Sequence, residues 1–385
     1  MSDEVIPHIP DLRLAELKFL AASGPADHRD DAKERLLAGI FEKDMAPWYS
    51  LVCDDLAIPV NSNELTRMQQ ANQQALAQYE TQLADAEETL GETEVSELLL
   101  KKAQYLAQIG DKDKAVLAYR VAFDKAATLG QRLDIVFAFI RIGLFYFDND
   151  LINRNLEKAK SLIEEGGDWD RRNRLKSYEA VYLMSIRDFK GASSLFLDSL
   201  STFASNELMD YVDYVKLAVL VGMISLDRVD LKKKLIDASE VLEVLGQAPH
   251  VDEFLQSLYD CRYAKFFRSL ATIEETQFRT SRYLHAHTRF YVREMRIIAY
   301  AQLLESYRSV TMESMAASFG VSEEFIDRDL SRFIAAGRLN CVIDKVNGIV
   351  ETNRPDLKNA QYQACIKQGD ILLNRIQKLS RVINI

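Results

Sequence analysis

Two histidines one residue apart, His285 and His287, come nearest in this sequence to a catalytic metal site. An HxH pair supplies two imidazole ligands, and the zinc hydrolases that use it add a serine and an aspartate at fixed spacing downstream. The positions eight and eleven residues beyond His287 hold Met295 and Ile298, which cannot take those roles. Because two ligands alone do not hold a catalytic zinc ion, we interpret the pair as loop or helix-end histidines.

Other catalytic motifs do not occur: the sequence has no GxxxxGK, no GxSxG and no HExxH. The four cysteines, at positions 53, 261, 341 and 365, lie far apart without a CxxC pair. This spacing favours reduced thiols inside the cell over a disulfide framework or a zinc site. We predict a protein that is not an enzyme, binds no cofactor or metal, and resides in the cytoplasm and nucleus.

A basic cluster lies in the segment GGDWDRRNRLK and comprises Arg171, Arg172, Arg174 and Lys176. Such a cluster could bind an acidic partner or RNA. Asp168 and Asp170 reduce its net charge, which favours a solvated turn between repeats whose arginines form salt bridges to adjacent helices.

The elements that must position these side chains are predicted to be helices. Glycine (15) and proline (7) are scarce among 385 residues, and no proline occurs between Pro59 and Pro249. Since proline breaks helix interiors and glycine weakens them, the fold class should be mostly α. The longest apolar run, Leu217–Leu226, is far shorter than the about 20 residues that cross a bilayer, so we expect a buried core helix and no membrane partner.

Negative charge is concentrated near the beginning of the chain. Through Glu97 there are 7 Lys and Arg against 20 Asp and Glu, a net of −13, whereas the remaining 41 against 38 give +3. An acidic arm repels phosphate, so it is either a docking surface for a basic protein patch or an ordinary solvated face.

Helical repeats follow this acidic part. The run Asn63–Leu90 has no breaker and predicts one long helix. The next segment has the small, turn and aromatic residues of a tetratricopeptide-type helix pair at Ala103, Gly110, Asp111, Ala115, Tyr119 and Ala122. Looser copies around Ala159 and Ala192 predict a degenerate helical solenoid, which presents an extended surface and suits scaffolding better than catalysis.

A winged helix is predicted near the end of the chain. Thr311 and Ser322 are suitable N-caps for two short helices, Gly320 makes the turn between them, and Gly337 ends the second. The segments LNCVIDKV and IVET, joined at Asn347 and Gly348, predict a hairpin.

The second of these helices does not have the charge of a DNA reader. Its predicted polar face carries Glu323, Glu324, Asp327 and Asp329 against Arg328 and Arg332. DNA binding requires the opposite balance, because phosphate neutralisation supplies much of the affinity. We predict no nucleic-acid partner and expect the hairpin or sheet edge to pair with another protein through Val342, Ile343 and Ile349.

The last helix of the chain carries an apolar stripe. From Gln361 to Val382 there is no proline, and apolar residues recur at mostly three- and four-residue steps. We predict a protein interface formed by Ile366, Leu372, Leu373, Ile376, Leu379 and Ile383. The alternative is that this helix packs back on its own domain.

Helical repeats leading into YAQLLESYRSVTMESMAASFGVSEEFIDRDLSRFIAAGRLNCVIDKVNGIV resemble the PCI domain of scaffolding subunits in the proteasome lid, the signalosome and a translation initiation factor. Further segments, DMAPWYSLVC, FYVREMRI and LLNRIQKLSRVIN among them, resemble the PCI-bearing, non-ATPase subunit seven family of the proteasome regulatory-particle lid. The similarity runs from about residue 45 to the C-terminus.

This resemblance implies a structural subunit in a hetero-oligomer. It implies PCI winged helices paired side by side, C-terminal helices gathered in one bundle, and partners among the PCI and MPN subunits of the lid, with the ATPase ring or core particle as further candidates. The alternative is a PCI scaffold of the signalosome or of an initiation factor complex. A nucleic-acid or ribosome-associated PCI protein is disfavoured by the acidic helix face.

We predict five regions along the chain. They are an acidic segment at 1–60, a long helix and repeats at 61–207, a PCI helical subdomain at 208–306, a winged helix at 307–354 and a bundle helix at 355–385. The polar interval Ala271–His287 is expected to be a connecting region.

Overall fold

The computed structural model describes residues 7–89, 91–353 and 357–383. These ranges form helices and one small sheet, which confirms the mostly α fold class. The α-helices are α1 (Leu12–Ser23), α2 (Ala26–Glu42), α3 (Ala46–Leu56), α4 (Ser62–Thr89), α5 (Glu92–Gln108), α6 (Lys112–Lys125), α7 (Leu129–Tyr146), α8 (Asn149–Gly166), α9 (Trp169–Ser185), α10 (Phe189–Ser199), α11 (Tyr211–Ser225), α12 (Arg228–Leu231), α13 (Ser239–Leu245), α14 (Pro249–Tyr259), α15 (Tyr263–Ile273), α16 (Thr288–Ser306), α17 (Met312–Phe319), α18 (Glu323–Ala335) and α19 (Leu357–Ile383). The strands are β1 (Ser309–Thr311), β2 (Cys341–Asp344) and β3 (Ile349–Thr352).

Two compact units make up the chain, and their limits fall near residues 260 and 293. The first contains the residues up to Asp260 and Phe266–Arg293, and the second contains Cys261–Lys265 and the residues from Glu294. The five predicted region boundaries stay predictions.

Three pairs of consecutive helices pack closely in the first unit: α5 with α6, α7 with α8, and α9 with α10. Helix α7 begins with a capping box, in which Thr128 and Gln131 satisfy each other's backbone N–H groups. Its residues from Ile135 to Phe145 are all buried, so it is a central helix. The predicted core run Leu217–Leu226 covers the end of α11; Leu217–Met223 are buried, and the last three residues are half-buried. Within the described ranges, no helix is long and apolar enough to cross a membrane.

The tetratricopeptide-type pair is α5 and α6. Ala103, Ala115 and Ala122 are buried where the two helices meet, which confirms their assignment as small packing residues. Asp111 caps α6 by accepting from the Lys114 N–H. Gly110 adopts φ +80°, and a Cβ atom there would lie 2.5 Å from the Cβ of Trp48. Only glycine fits this turn without strain.

Helices α1 to α3 and their caps carry part of the negative charge counted through Glu97. Several of their carboxylates form ion pairs, as Asp11 does with Lys43 and Asp55 with Lys18. Trp48 lies against Phe145 of α7, with ring centroids 4.9 Å apart. These helices therefore pack on the repeats as part of the first unit.

The interval Ala271–His287 is not merely a polar connection, so that expectation was wrong. Helix α15 runs to Ile273, a π-helical turn covers Glu274–Phe278, and Phe278, Tyr283 and Leu284 are buried. Phe278 packs on Tyr291 with ring centroids 4.4 Å apart. The apolar residues here are too widely separated to show a helical period, and tertiary contacts bury them.

The second unit contains the winged helix. The predicted N-caps are confirmed: Thr311 accepts from the Ser314 N–H, and Ser322 accepts from the Phe325 N–H. Gly320 and Gly337 both adopt φ +67° at the helix ends. The sheet has the order β1-β3-β2, all antiparallel, with Val310 opposite Val350 and Val350 opposite Ile343. The predicted hairpin is therefore β2 and β3.

Candidate functional site

The histidine pair is occupied in structural contacts within the first unit. His287 is buried; its Nε2 lies 2.7 Å from the Ser185 carbonyl oxygen, and its Nδ1 accepts from Arg187 Nε at 3.2 Å. His285 packs edge-on against Phe19. Among the described residues, no three His, Cys, Asp or Glu side chains are grouped so that they could hold a metal ion. The two histidines thus make packing and hydrogen-bond contacts to other helices and to the turn after α9.

The basic cluster proved to be partly buried. Arg171 donates to both carboxylate oxygens of Asp134 on α7, and to Asp168 at 2.6 Å. Arg174 is only 3% exposed and donates to Glu207 at 3.0 Å. The expectation of salt bridges to adjacent helices is confirmed, but the expectation of a solvated turn is wrong for Arg174.

A buried hydrogen-bond network extends from Arg174, and the sequence did not reveal it. Tyr178 donates its hydroxyl to Glu207 at 2.9 Å, and Arg141 donates to the same hydroxyl at 3.1 Å. Arg141 also donates to the backbone oxygen of Ile9. Burial raises the pKa of Tyr178 to about 12, so the hydroxyl stays protonated and can donate. The network fastens the N-terminal chain to α7 and α9.

Carboxylates also line a cavity of about 270 Å³ in the first unit, between α1, α11 and the turn near Ser281. Several of them are paired: Asp210 with Arg13, Asp213 with Lys216 and Glu207 with Arg174. Burial, followed by the charge of Asp213, raises the pKa of Glu16 to about 7, while Arg282 and Arg13 oppose the shift. The cavity therefore contains a carboxyl group that titrates near neutrality.

Helix α18, the second helix of the winged helix, does not have the acidic face that the sequence predicts. Asp329 is buried, accepts from Arg296 at 3.2 Å, and lies near the Tyr300 hydroxyl, so its place on the polar face was wrong. Asp327 accepts from Lys345 of the hairpin. Exposed Glu323 and Glu324 are then balanced by exposed Arg328 and Arg332. The face is close to neutral and still lacks the positive charge that phosphate binding needs.

The sheet edge offers part of the predicted interface. Strand β2 is at one edge, and Val342 on it is 52% exposed. Ile343 is half-buried and pairs with Val350. Ile349 is on the central strand, where its backbone pairs with Thr311 on one side and Asp344 on the other. Backbone pairing with another chain is therefore open to β2 but not to β3.

Helix α19 presents an exposed apolar stripe in the second unit. All its described side chains from Gln361 to Ile383 are exposed. The six predicted interface residues are between 54% and 72% exposed, namely Ile366, Leu372, Leu373, Ile376, Leu379 and Ile383. Large contiguous apolar surfaces of this kind mark interaction sites in soluble proteins.

Helical repeats followed by a winged helix define the class of PCI-domain proteins, and residues 248–354 match the PCI domain family model. Residues 61–234 match the family model described as 26S proteasome subunit RPN7. Residues 361–383 match the one described as 26S proteasome regulatory subunit RPN7/PSMD6 C-terminal helix. The chain is 50% identical over 378 residues to the 26S proteasome non-ATPase regulatory subunit 6 homolog of Arabidopsis thaliana, covering 98% of this chain and 97% of the relative.

The alignment with a second relative covers the full length of both chains. The 26S proteasome non-ATPase regulatory subunit 6 of Dictyostelium discoideum is 48% identical over 384 residues. The chain belongs to this family, the 26S proteasome subunit RPN7 family. By contrast, COP9 signalosome complex subunit 1 of Arabidopsis thaliana is 26% identical over 199 residues, 51% of this chain and 45% of that relative. The comparisons thus favour the proteasome over the signalosome alternative.

Proposed function

We propose that this chain is a non-catalytic structural subunit of the proteasome regulatory-particle lid, where it supports assembly and ubiquitin-dependent protein degradation. The observation that carries the proposal is the exposed apolar stripe of α19. Full-length similarity to proteasome regulatory subunits supports the assembly, and similarity of residues 361–383 to a family-specific C-terminal helix supports a role for this helix in it.

Burial of the stripe would supply the binding free energy. Each large aliphatic side chain gives about 1.5 to 3 kcal/mol when it leaves water, so Leu373, Ile376 and Leu379 together contribute several kcal/mol. A helix of this amphipathic kind buries its apolar side against other helices. We infer a hetero-oligomeric helix bundle whose other members come from PCI and MPN subunits of the lid.

The winged helix would provide a second attachment. Val342 and Ile343 on the edge strand β2 could extend the sheet of a neighbouring PCI domain by backbone hydrogen bonding. The ATPase ring and core particle are further candidate partners. The protein would act in the cytoplasm and nucleus, and catalysis would lie with other subunits.

The test replaces Leu373, Ile376 and Leu379 by aspartate in the full chain. We expect a soluble helical protein that keeps the cooperative thermal melt of the wild type but no longer co-purifies with the other lid subunits. The matched control replaces Gln363 and Asn374 by aspartate and Lys367 by glutamine, which changes the net charge by the same three units on the face opposite the stripe. This control should still enter the lid.

Two outcomes contradict the proposal. Normal incorporation of the stripe variant would exclude bundling through α19. A markedly lower melting temperature or aggregation of the isolated stripe variant, with the control unaffected, would mean that α19 caps its own domain instead.

A further inference from the structure

One exposed tryptophan has no role in the network or helix contacts described above. Of the two tryptophans in the chain, Trp48 is 2% exposed whereas Trp169, the first residue of α9, is 67% exposed. Tryptophan is enriched among the residues that dominate protein–protein binding energy. An indole left in water at a helix end is therefore a candidate contact for a partner.

The backbone that carries Trp169 is held in place on both sides. Arg171 bridges Asp168 to Asp134 of α7, with 2.6 Å contacts to each. Its guanidinium group also lies against Gly130, where an added Cβ would be 3.2 Å away. On the other side, the N–H of Gly167 donates to the Ile163 carbonyl oxygen at 2.9 Å, which ties the corner to the last turn of α8. We call residues 164–172 the Trp169 corner; its backbone is preorganised, which lowers the entropy cost of binding.

The charges at the corner indicate what kind of group would bind there. Glu164 and Glu165 are exposed in the last turn of α8, which has no basic residue. Carboxylates at a helix C-terminus face the negative end of the helix dipole, so this arrangement is unfavourable in the free chain. A cation placed beside them would relieve the repulsion and could stack on the indole face.

We propose that the Trp169 corner docks a lysine- or arginine-bearing segment of another protein, with the cation on Trp169 and beside Glu164 and Glu165. The corner has four carboxylates and two arginines, a net of −2, and Arg171 is engaged with Asp134 and Asp168. This negative charge would repel RNA and acidic peptides. The surface lies on the repeats and is independent of the proposed role of α19.

The test places a photo-crosslinker beside the tryptophan, as Asp170→p-benzoylphenylalanine, in cells that produce the full chain. Crosslinked peptides are then identified by mass spectrometry. We expect one segment of a different protein that has a lysine or arginine within about three residues of the crosslink. No protein crosslink, a crosslink to a second copy of this chain, or a segment without a basic residue would overturn the proposal.

Three variants in the crosslinking background test the chemistry. Trp169→Ala, and separately Glu164→Gln with Glu165→Gln, should each lower the crosslink yield at least about threefold relative to Asp170→p-benzoylphenylalanine alone. Arg172→Gln removes the exposed cation of the corner and should keep or raise the yield. A loss with Arg172→Gln, or an unchanged yield with the other two variants, would show that the partner is not basic. Circular dichroism verifies that each variant is folded.

Discussion

Burial of the Glu16 carboxyl group makes the stability of this protein depend on pH. Its side chain lines the cavity of the first unit, and its pKa is raised from 4.5 to about 7 by burial and by Asp213. In the unfolded chain the same carboxyl loses its proton near its ordinary pKa. Between those two values the folded state binds more protons, so stability falls as pH rises and stays lowered above about pH 7.

We therefore expect Glu16→Gln to stabilise the protein at pH 8 by about 1 to 2 kcal/mol and to change it little at pH 5. Glutamine keeps the size of the side chain but never carries the charge. Urea unfolding of both proteins at the two pH values measures the difference. An equal effect at pH 5 and pH 8 would show that Glu16 does not titrate in this range.

Arg174 and Arg172 are two residues apart but should differ widely in their contribution to the free energy of unfolding. Arg174→Met leaves the carboxylate of buried Glu207 without this cation and should lower the free energy of unfolding by about 3 to 5 kcal/mol. Arg172→Met, at an exposed position of the same helix, should stay within about 0.5 kcal/mol of wild type.

Urea unfolding measures both arginine variants. The double variant Arg174→Met with Glu207→Met should recover part of the loss, because it removes both charges together. A double variant no more stable than Arg174→Met would contradict the assignment of the loss to an unpaired charge.

Residue-level predictions from the sequence succeeded where the cause is local. Thr311 and Ser322 were identified as caps because the capped N–H groups lie three residues ahead. Arg174 and Asp329 were wrongly placed at the surface because their partners, Glu207 and Arg296, are 33 residues away in sequence. Which face of a helix meets such a partner depends on packing between elements.

Turns between elements should differ in how they tolerate a side chain. Gly110 and Gly337 both need positive φ, but a Cβ would meet Trp48 at 2.5 Å at the first and nothing within 4 Å at the second. Gly337→Ala should cost about 1 kcal/mol from the backbone alone. Gly110→Ala should cost about 3 kcal/mol or more, because the α5–α6 pair must also move.

Hydrogen–deuterium exchange measures the two glycine variants, because it reports on each unit separately. Gly110→Ala should raise exchange across α5 and α6, whereas Gly337→Ala should raise it only at the end of α18. An equal rise in exchange around the two substituted glycines would show that the turn after α5 can shift away from Trp48.

At the scale of elements, long uninterrupted patterns were the most predictable. The helix predicted at Asn63–Leu90 corresponds to α4, and the Asn-Gly turn joins β2 to β3. The interval Ala271–His287 was misinterpreted because Phe278, Tyr283 and Leu284 are buried by contacts with distant helices, which leave no period in the sequence. The stripe of α19 was visible as a pattern, but a pattern does not identify its partner.

For the whole molecule, the charge predicts no binding to nucleic acid. The chain has a formal net charge of −10, and the exposed face of α18 has no excess of basic residues. We expect no salt-sensitive binding of the isolated chain to duplex DNA at moderate ionic strength. Fluorescence anisotropy with a labelled duplex measures this. Micromolar binding that weakens steeply with added salt would contradict the protein-scaffold interpretation.

In the proposed bundle, the stripe on α19 would also link the amount of usable chain to the supply of its neighbours. Copies made in excess carry the same uncovered leucines and isoleucines, and they can cover them only against one another. Self-association of this kind rises steeply with concentration, whereas correct pairing is limited by the scarcer subunit. Overproduction of this chain alone should therefore favour soluble oligomers over monomers as concentration rises, which sedimentation velocity measures, and the proposed bundle would require balanced synthesis of its members.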